Sequence, residues 1–130
     1  MADEEIVFPI ELIPDRDSVF LRAHKTRMRD GVPTGSAFTP KGNTGLSVDW
    51  EKYSTAQASR EHGAIPADNA ILRMVAGDIR KIREGLDILH VPLPLNRAHS
   101  EINLPENRTD QTQVRVLLGR IAIVQIPLAL

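Results

Sequence analysis

Residues 46–50 read Leu-Ser-Val-Asp-Trp, so apolar and polar side chains alternate along this stretch. Alternation with a period of two predicts a β-strand that buries one face, here the face of Leu46, Val48 and Trp50. Pro9 allows at most an edge strand at residues 6–13, because proline cannot donate to a sheet ladder. Apolar and β-branched runs predict further strands at residues 18–24, 70–75, 86–91 and 98–104.

Three segments carry signals for helices. Ser54 and Gln57 have the spacing of a capping box, in which each side chain satisfies a free backbone N–H of the first turn. Asp78 can cap a short helix over residues 79–84. In residues 111–124 the apolar side chains fall on one helical face, although the many β-branched residues favour a strand. We predict a helix for this last segment.

Length and composition indicate one domain. The chain has 130 residues, of which 42% are hydrophobic and 25% charged, as in an ordinary globular protein. Short strands and helices together predict an α+β fold, with a small mixed or antiparallel sheet and two or three short helices. We assign a single domain over residues 1–130, whose core includes Leu86 and Leu117. Its parts are an acidic N-terminal arm at 1–17, a core at 18–104 and a C-terminal segment at 111–124.

Composition excludes several classes of function. The chain has no cysteine, which excludes a disulfide scaffold, thiolate catalysis and zinc–thiolate sites. The acidic N-terminus and the lack of a long apolar run predict a cytoplasmic protein without a membrane anchor. The net charge of −1 argues against strong non-specific binding to nucleic acid. Residues 21–41 nevertheless hold five bases and one acid, which leaves a local basic surface open.

Polar residues at the ends of predicted strands are the candidates for a site. Arg22 and His24 are two residues apart on one strand and therefore share a face. His90 and His99 flank a proline-rich turn, and we expect them in one pocket with Arg22 and His24 at its wall. Such a set could act as acid, base and anion clamp on a phosphodiester. The alternative is that the histidines bind backbone carbonyls and fix the turns.

The motifs around these residues have a counterpart in other sequences. They are Leu21-Arg22-Ala23-His24, Asp30-Gly31, Ser36-Ala37-Phe38, Leu46-Ser47-Val48-Asp49 and His90 to His99. In these motifs, over roughly residues 20–104, the chain resembles a family of small uncharacterised bacterial proteins. The resemblance implies no activity. It implies that one site is formed by Arg22, His24, Ser36, Asp49, His90, Asn96 and His99.

Two functions follow as hypotheses. The first is a small cytoplasmic bacterial interaction or adaptor domain in a multi-protein assembly, with a protein partner or a second copy bound through the C-terminal segment. That segment has more apolar residues than one helix face requires. The second is a nucleotide- or phosphodiester-processing enzyme, and a nucleotide or nucleic acid would then be its ligand.

In the enzyme hypothesis each candidate residue has a role. Arg22 would hold a phosphate, His24 and His99 would exchange protons, and His90 would orient one of them. The binding residues would be Ser36, Asp49 and Asn96. Two imidazoles and a carboxylate could also hold a metal, but no carboxylate has a convincing ligand spacing. We therefore assign no metal and no cofactor, and we leave open whether the protein is an enzyme.

Overall fold

The computed structural model describes residues 7–129. Three α-helices and two antiparallel sheets make up the regular structure of this range, together with short 3-10 turns. The helices are α1 (Ala56–Glu61), α2 (Ala76–Arg80) and α3 (Arg108–Ile121). The strands are β1 (Ser18–His24), β2 (Met28–Arg29), β3 (Val32–Pro33), β4 (Gly45–Trp50), β5 (Asn69–Val75), β6 (Ile88–His90), β7 (His99–Asn103) and β8 (Ile123–Ile126).

Six of these strands form one antiparallel sheet in the order β6-β7-β4-β1-β5-β8, and β2 pairs with β3 in a separate ribbon. The predicted α+β class is therefore confirmed, with an antiparallel sheet. None of the helices in residues 7–129 has the length and apolar character that crossing a lipid bilayer demands.

The sheet has two chemically different faces because side chains alternate along each strand. One face packs on α3, and its buried side chains include Val19, Leu21, Val48 and Trp50 from β1 and β4, with Leu118 from α3. The other face is mainly polar and is partly covered by α1. The core thus lies between the sheet and α3, and the polar face is left for a site.

The centre of the sheet is only partly closed. Strand β1 pairs with β5 over seven residue pairs, whereas it pairs with β4 over two, of which the last is Phe20 with Asp49. Beyond this pair a groove is lined by residues of both strands, including Leu21 and Leu46 from the core face. The local loss of pairing therefore opens the sheet where the polar residues of β1 and β4 lie.

The C-terminal segment contains a helix followed by a strand, so the predicted helix over 111–124 is wrong at both ends. Helix α3 begins three residues earlier, because the side chain of Asn107 accepts a hydrogen bond from the backbone N–H of Asp110 (3.1 Å). It ends at Ile121, and β8 then pairs with β5 at the edge of the sheet. Val114 and Leu118 are the fully buried side chains of α3, whereas the predicted core residue Leu117 is half-buried.

Three other local predictions are wrong. Helix α1 is capped by Thr55, whose hydroxyl accepts from the N–H of Ala58 (3.0 Å), and not by Ser54. Helix α2 begins before Asp78, because backbone carbonyls of the N-terminal arm accept its first N–H groups. The predicted edge strand at residues 6–13 is absent over the described residues 7–13, which pair with no strand.

Candidate functional site

A groove of about 950 Å³ lies on the polar face of the sheet. Its floor consists of side chains from β1, β4 and β7, which alternate with the core residues of the same strands. Its walls are formed by the end of α1, by residues 62–65, by the loop at 93–96 and by residues of the stretch 37–41. The polar and charged residues that line it are Arg22, His24, Arg27, Thr39, Lys41, Ser47, Asp49, Ser59, His62, Asp68, Asn69, Asn96 and His99.

Five of the seven residues proposed from the sequence line this groove, and two do not. The period of two brings Arg22 and His24 to the same face of β1, and the antiparallel register places Asp49 directly opposite His99 on β7. Asn96 reaches the groove from the loop before β7. His90 and Ser36 lie elsewhere.

Asp49 is the hub of the groove. Its carboxylate accepts hydrogen bonds from the Ser59 hydroxyl (2.6 Å) and from the Asn96 side-chain amide (2.8 Å). The guanidinium of Arg22 lies 3.7 Å from the same carboxylate and donates to the Ser59 carbonyl (3.0 Å). Only 4% of Asp49 is exposed. Since a buried charge is costly unless it is paired and hydrogen-bonded, this network must form for the groove to have its shape.

His99 has one ring nitrogen bonded to the backbone and the other directed to a hydroxyl. Its Nδ1 lies 2.8 Å from the carbonyl oxygen of Val91, and its Nε2 lies 3.3 Å from Oγ of Ser47. A carbonyl can only accept, so the ring proton belongs on Nδ1. The lone pair of Nε2 is then free to accept a proton on the groove side.

His24 has the opposite arrangement. Its Nδ1 accepts a hydrogen bond from the backbone N–H of Thr26 (3.2 Å), so the ring proton belongs on Nε2. That nitrogen lies 4.0 Å from Oδ2 of Asp68, and Oδ1 of the same carboxylate lies 3.2 Å from Nζ of Lys25. The half-exposed imidazole of His24 can therefore donate a hydrogen bond to an anion at the end of the groove.

His90 lies on the other face of the sheet, which corrects the expectation that it shares a pocket with His99. It pairs with Ser100, the neighbour of His99, and adjacent residues of a strand point to opposite faces. Its Nδ1 accepts from the N–H of Glu11 (3.1 Å), and its Nε2 donates to the carbonyl of Arg97 (2.7 Å). His90 is 2% exposed, so both nitrogens serve to fix the arm and the turn.

Ser36 is on the 3-10 turn over Gly35–Phe38 and does not line the groove. Its hydroxyl is 2.7 Å from that of Thr34, and its carbonyl accepts from the guanidinium of Arg27. Its neighbour Ala37 and the nearby Thr39 do line the groove. Ser36 therefore shapes the turn next to the groove and does not itself line it.

Sequence reasoning missed eight of the polar residues that line the groove, among them Ser47, Ser59 and His62. The position of Ser47 could have been inferred, because it is two residues from Asp49 on the same strand and so shares its face. No local sequence pattern predicts Ser59 as a groove residue, because Asp49, to which its hydroxyl is hydrogen-bonded, lies on a different element. His62 follows the last residue of α1 and lines the groove without belonging to a motif.

Positive charge is in slight excess at the groove. Three Arg or Lys side chains line it against two Asp side chains, and both acids already have a basic neighbour. Within residues 7–129 no group of three or more His, Asp or Glu side chains is arranged to hold a metal ion. The groove therefore offers hydrogen-bond donors and cations to a ligand.

No protein-family model, curated protein or solved structure matches this chain, so its function has to be inferred from the groove itself.

Proposed function

We propose that the groove binds a small phosphate-bearing molecule of nucleotide size. The observation that carries the proposal is the convergence of Arg22, His24 and Lys41 on one groove of about 950 Å³. Guanidinium and ammonium groups are the usual partners of phosphate oxygens, and charge-assisted hydrogen bonds are the stronger ones. The volume is at the upper end of the range for small-molecule sites, about 300–1,000 Å³.

The guanidinium of Arg22 retains donors for a ligand. A guanidinium has five N–H donors in a fixed plane, and one nitrogen of Arg22 is used by the Ser59 carbonyl. The remaining N–H groups belong to a side chain that is one-third exposed and lines the groove. Asp49 orients the guanidinium, so that a phosphate would meet donors already held in place.

Apolar residues at the rim fit the remainder of a nucleotide. Leu93 and Leu95 stand on the loop before β7, and Ile65 stands on the wall after α1. Leu95 is 96% exposed and Ile65 60% exposed, which is unusual for such side chains beside a polar floor. An exposed apolar patch with a polar surround is typical of a binding site. A planar base would cover these side chains while the phosphate contacts the floor.

The protonation pattern of two histidines supports the enzymatic form of this proposal. His24 presents an N–H at Nε2, and His99 presents a lone pair at Nε2. On a phosphate ester, the first nitrogen could donate a hydrogen bond to a phosphate oxygen and the second could accept a proton as a general base. The proposed roles of Arg22, His24 and His99 on a phosphate ester therefore stay together, whereas His90 has no part in them.

A binding titration tests the proposal. Inorganic phosphate and the four ribonucleoside 5′-monophosphates are titrated into the ¹⁵N-labelled full chain, and amide shifts are followed. We expect saturable shifts at groove residues, and dissociation constants raised about tenfold by His24→Ala or Lys41→Gln, since each removes one charge-assisted contact. Lys81→Gln is the matched control because Lys81 is exposed at the end of α2, outside the groove. No shifts at millimolar ligand, or equal losses in Lys81→Gln, would contradict the proposal.

A second candidate function, an interaction module, is favoured by the C-terminal segment. Strand β8 is at the edge of the sheet, and edge strands can pair with another chain. Ile123 of β8 is 52% exposed, and Val116 of α3 is 49% exposed. Self-association through this edge would bring a second copy against Ile123.

Sedimentation velocity over a range of concentrations tests this second candidate. We expect a concentration-dependent dimer for the full chain and a monomer for Ile123→Lys. Leu12→Lys is the control, because Leu12 is also apolar and exposed but lies on the N-terminal arm. A monomer at every concentration, or dimers that survive Ile123→Lys, would exclude pairing through β8.

A further inference from the structure

We propose that Ser47 is a nucleophile and that His99 is its general base, an inference that rests on the proposed phosphate-ester ligand for the choice of reaction. Oγ of Ser47 lies 3.3 Å from Nε2 of His99, and Nδ1 of the same ring lies 2.8 Å from the Val91 carbonyl. A hydroxyl next to a base that is oriented by a third group is the arrangement of an activated nucleophile. The longer first distance is usual before a ligand binds.

The backbone holds this arrangement. Val91 and His99 are joined twice, because the N–H of Val91 donates to the His99 carbonyl (3.0 Å) while the imidazole donates back to the Val91 carbonyl. The ring is therefore held in the tautomer whose Nε2 accepts a proton. Ser47 belongs to the adjacent strand β4, two residues from Asp49, which pairs with His99. Both side chains line the groove.

The location of Ser47 matches an attack on a bound phosphate. Strand β4 stops pairing with β1 beyond Asp49, so Ser47 stands at the place where the sheet opens into the groove. Arg22 of β1 lines the same opening and donates to the Ser59 carbonyl beside Asp49. A phosphate held by Arg22 would thus lie above the floor that carries the Ser47 hydroxyl.

Cleavage of a phosphate ester by this pair needs no reagent other than water. Oγ of Ser47 forms a bond to phosphorus, the bond from phosphorus to the alcohol oxygen breaks, and the hydroxyl proton passes to Nε2 of His99 and then to the leaving alcohol. Water next gives a proton to His99 and attacks the phosphoserine. The bond from phosphorus to Oγ breaks, and Ser47 recovers its proton from His99. The products are an alcohol and a phosphate.

A fluorophosphonate probe tests the nucleophile on the full chain. The probe transfers its phosphonyl group to an activated serine with loss of fluoride, and intact-mass spectrometry followed by peptide mapping locates the adduct. We expect one adduct, on Ser47, which is absent in Ser47→Ala and forms at least about tenfold more slowly in His99→Ala. Ser54→Ala, outside the groove, should be labelled like the native chain. No adduct, or an adduct that forms equally fast in His99→Ala, would overturn the proposed pair of Ser47 and His99, called the dyad below.

The absence of cysteine provides a second measurement that does not depend on the probe. Ser47→Cys should be alkylated by iodoacetamide about tenfold faster at neutral pH than Ser54→Cys, because the thiolate is the nucleophile and His99 favours its formation. Both serines are half-buried, so exposure does not explain such a difference. Adding His99→Ala to Ser47→Cys should abolish this difference in alkylation rate. Equal rates at the two positions would also overturn the dyad.

These outcomes are separable from those of the nucleotide titration. Nucleotide binding without labelling of Ser47 would reject the dyad and leave the binding site. Labelling of Ser47 in a chain that binds no nucleotide would reject the phosphate ligand and leave the dyad. Circular dichroism and the fluorescence of Trp50 establish that each variant is folded before its rate is compared.

Discussion

Replacing Asp49 by asparagine should destabilise the domain and loosen the groove at the same time. The asparagine keeps the size of the side chain but removes the charge that Ser59 and Asn96 bind and that Arg22 faces. An amide also has one oxygen where the carboxylate has two. One of the two donors must therefore rotate or lose its acceptor.

The magnitude follows from these contacts. A hydrogen bond to a charged group contributes about 1.5–3 kcal/mol and a neutral one about 0.5–1.5 kcal/mol, so two bonds lose roughly 1 kcal/mol each. Mispairing of one donor adds about 1 kcal/mol. Arg22 is partly exposed, and its lost ion pair adds little because solvent screens it. We expect the free energy of unfolding to fall by about 2–4 kcal/mol, a large part of the stability of a small domain.

Urea denaturation followed by the fluorescence of Trp50, the buried neighbour of Asp49, measures this loss. Glu84→Gln is the matched control, because it is the same loss of charge at an exposed position, and it should change stability by less than about 0.5 kcal/mol. Ser59→Ala combined with Asp49→Asn completes a double-mutant cycle, for which we expect a coupling of at least about 1 kcal/mol. A fall below 0.5 kcal/mol for Asp49→Asn, or additive effects in the cycle, would refute the role of Asp49 as the hub.

Two further predictions concern the core and the arm. Leu118→Ala should destabilise the domain by about 2–5 kcal/mol and Leu117→Ala by clearly less, because only Leu118 is fully buried; equal losses in urea denaturation would show that α3 is rotated. Hydrogen bonds from Lys52 and Tyr53 hold the pKa of Glu11 below its ordinary value of 4.5. The stability that these hydrogen bonds contribute should be complete above pH 4.5 and lost as the pH falls through the lowered pKa of the folded state. The difference in unfolding free energy between the native chain and Glu11→Gln should therefore vanish in acid. A difference that is unchanged between pH 7 and pH 3 would contradict this prediction.

Local sequence pattern was sufficient for the strands that form the floor of the groove. Alternation in residues 46–50 and 18–24 predicted β4 and β1, and both strands exist with the expected core face. The same alternation put Arg22 and His24 on one side of β1. A period of two is a property of the extended backbone itself, so it can be read without knowledge of any partner strand.

The placement of the histidines depended on the register between strands. His90 and His99 flank one turn, and the sequence offered no means to tell whether they face the same side of the sheet. A shift of one residue in the pairing of β6 with β7 would turn His90 to the face on which His99 lies. In the structure His90 pairs with Ser100 and so lies on the core face, whereas the pairing of β7 with β4, with His99 opposite Asp49, places His99 in the groove.

The ends of the helices and the formation of the C-terminal strand likewise depend on contacts between residues that are remote in the sequence. Backbone carbonyls of Asp17 and Asp15 accept the N–H groups of Ala76 and Gly77, so the arm starts α2 where no local cap is present. Residues 123–126 form a strand because they pair with the free edge of β5, although the helical spacing of apolar residues continues to this point. By itself the sequence determined the periodicity of each segment and therefore the α+β class. Only the tertiary structure decided which segments meet, because hydrogen bonds between remote residues leave no periodic signal in the chain.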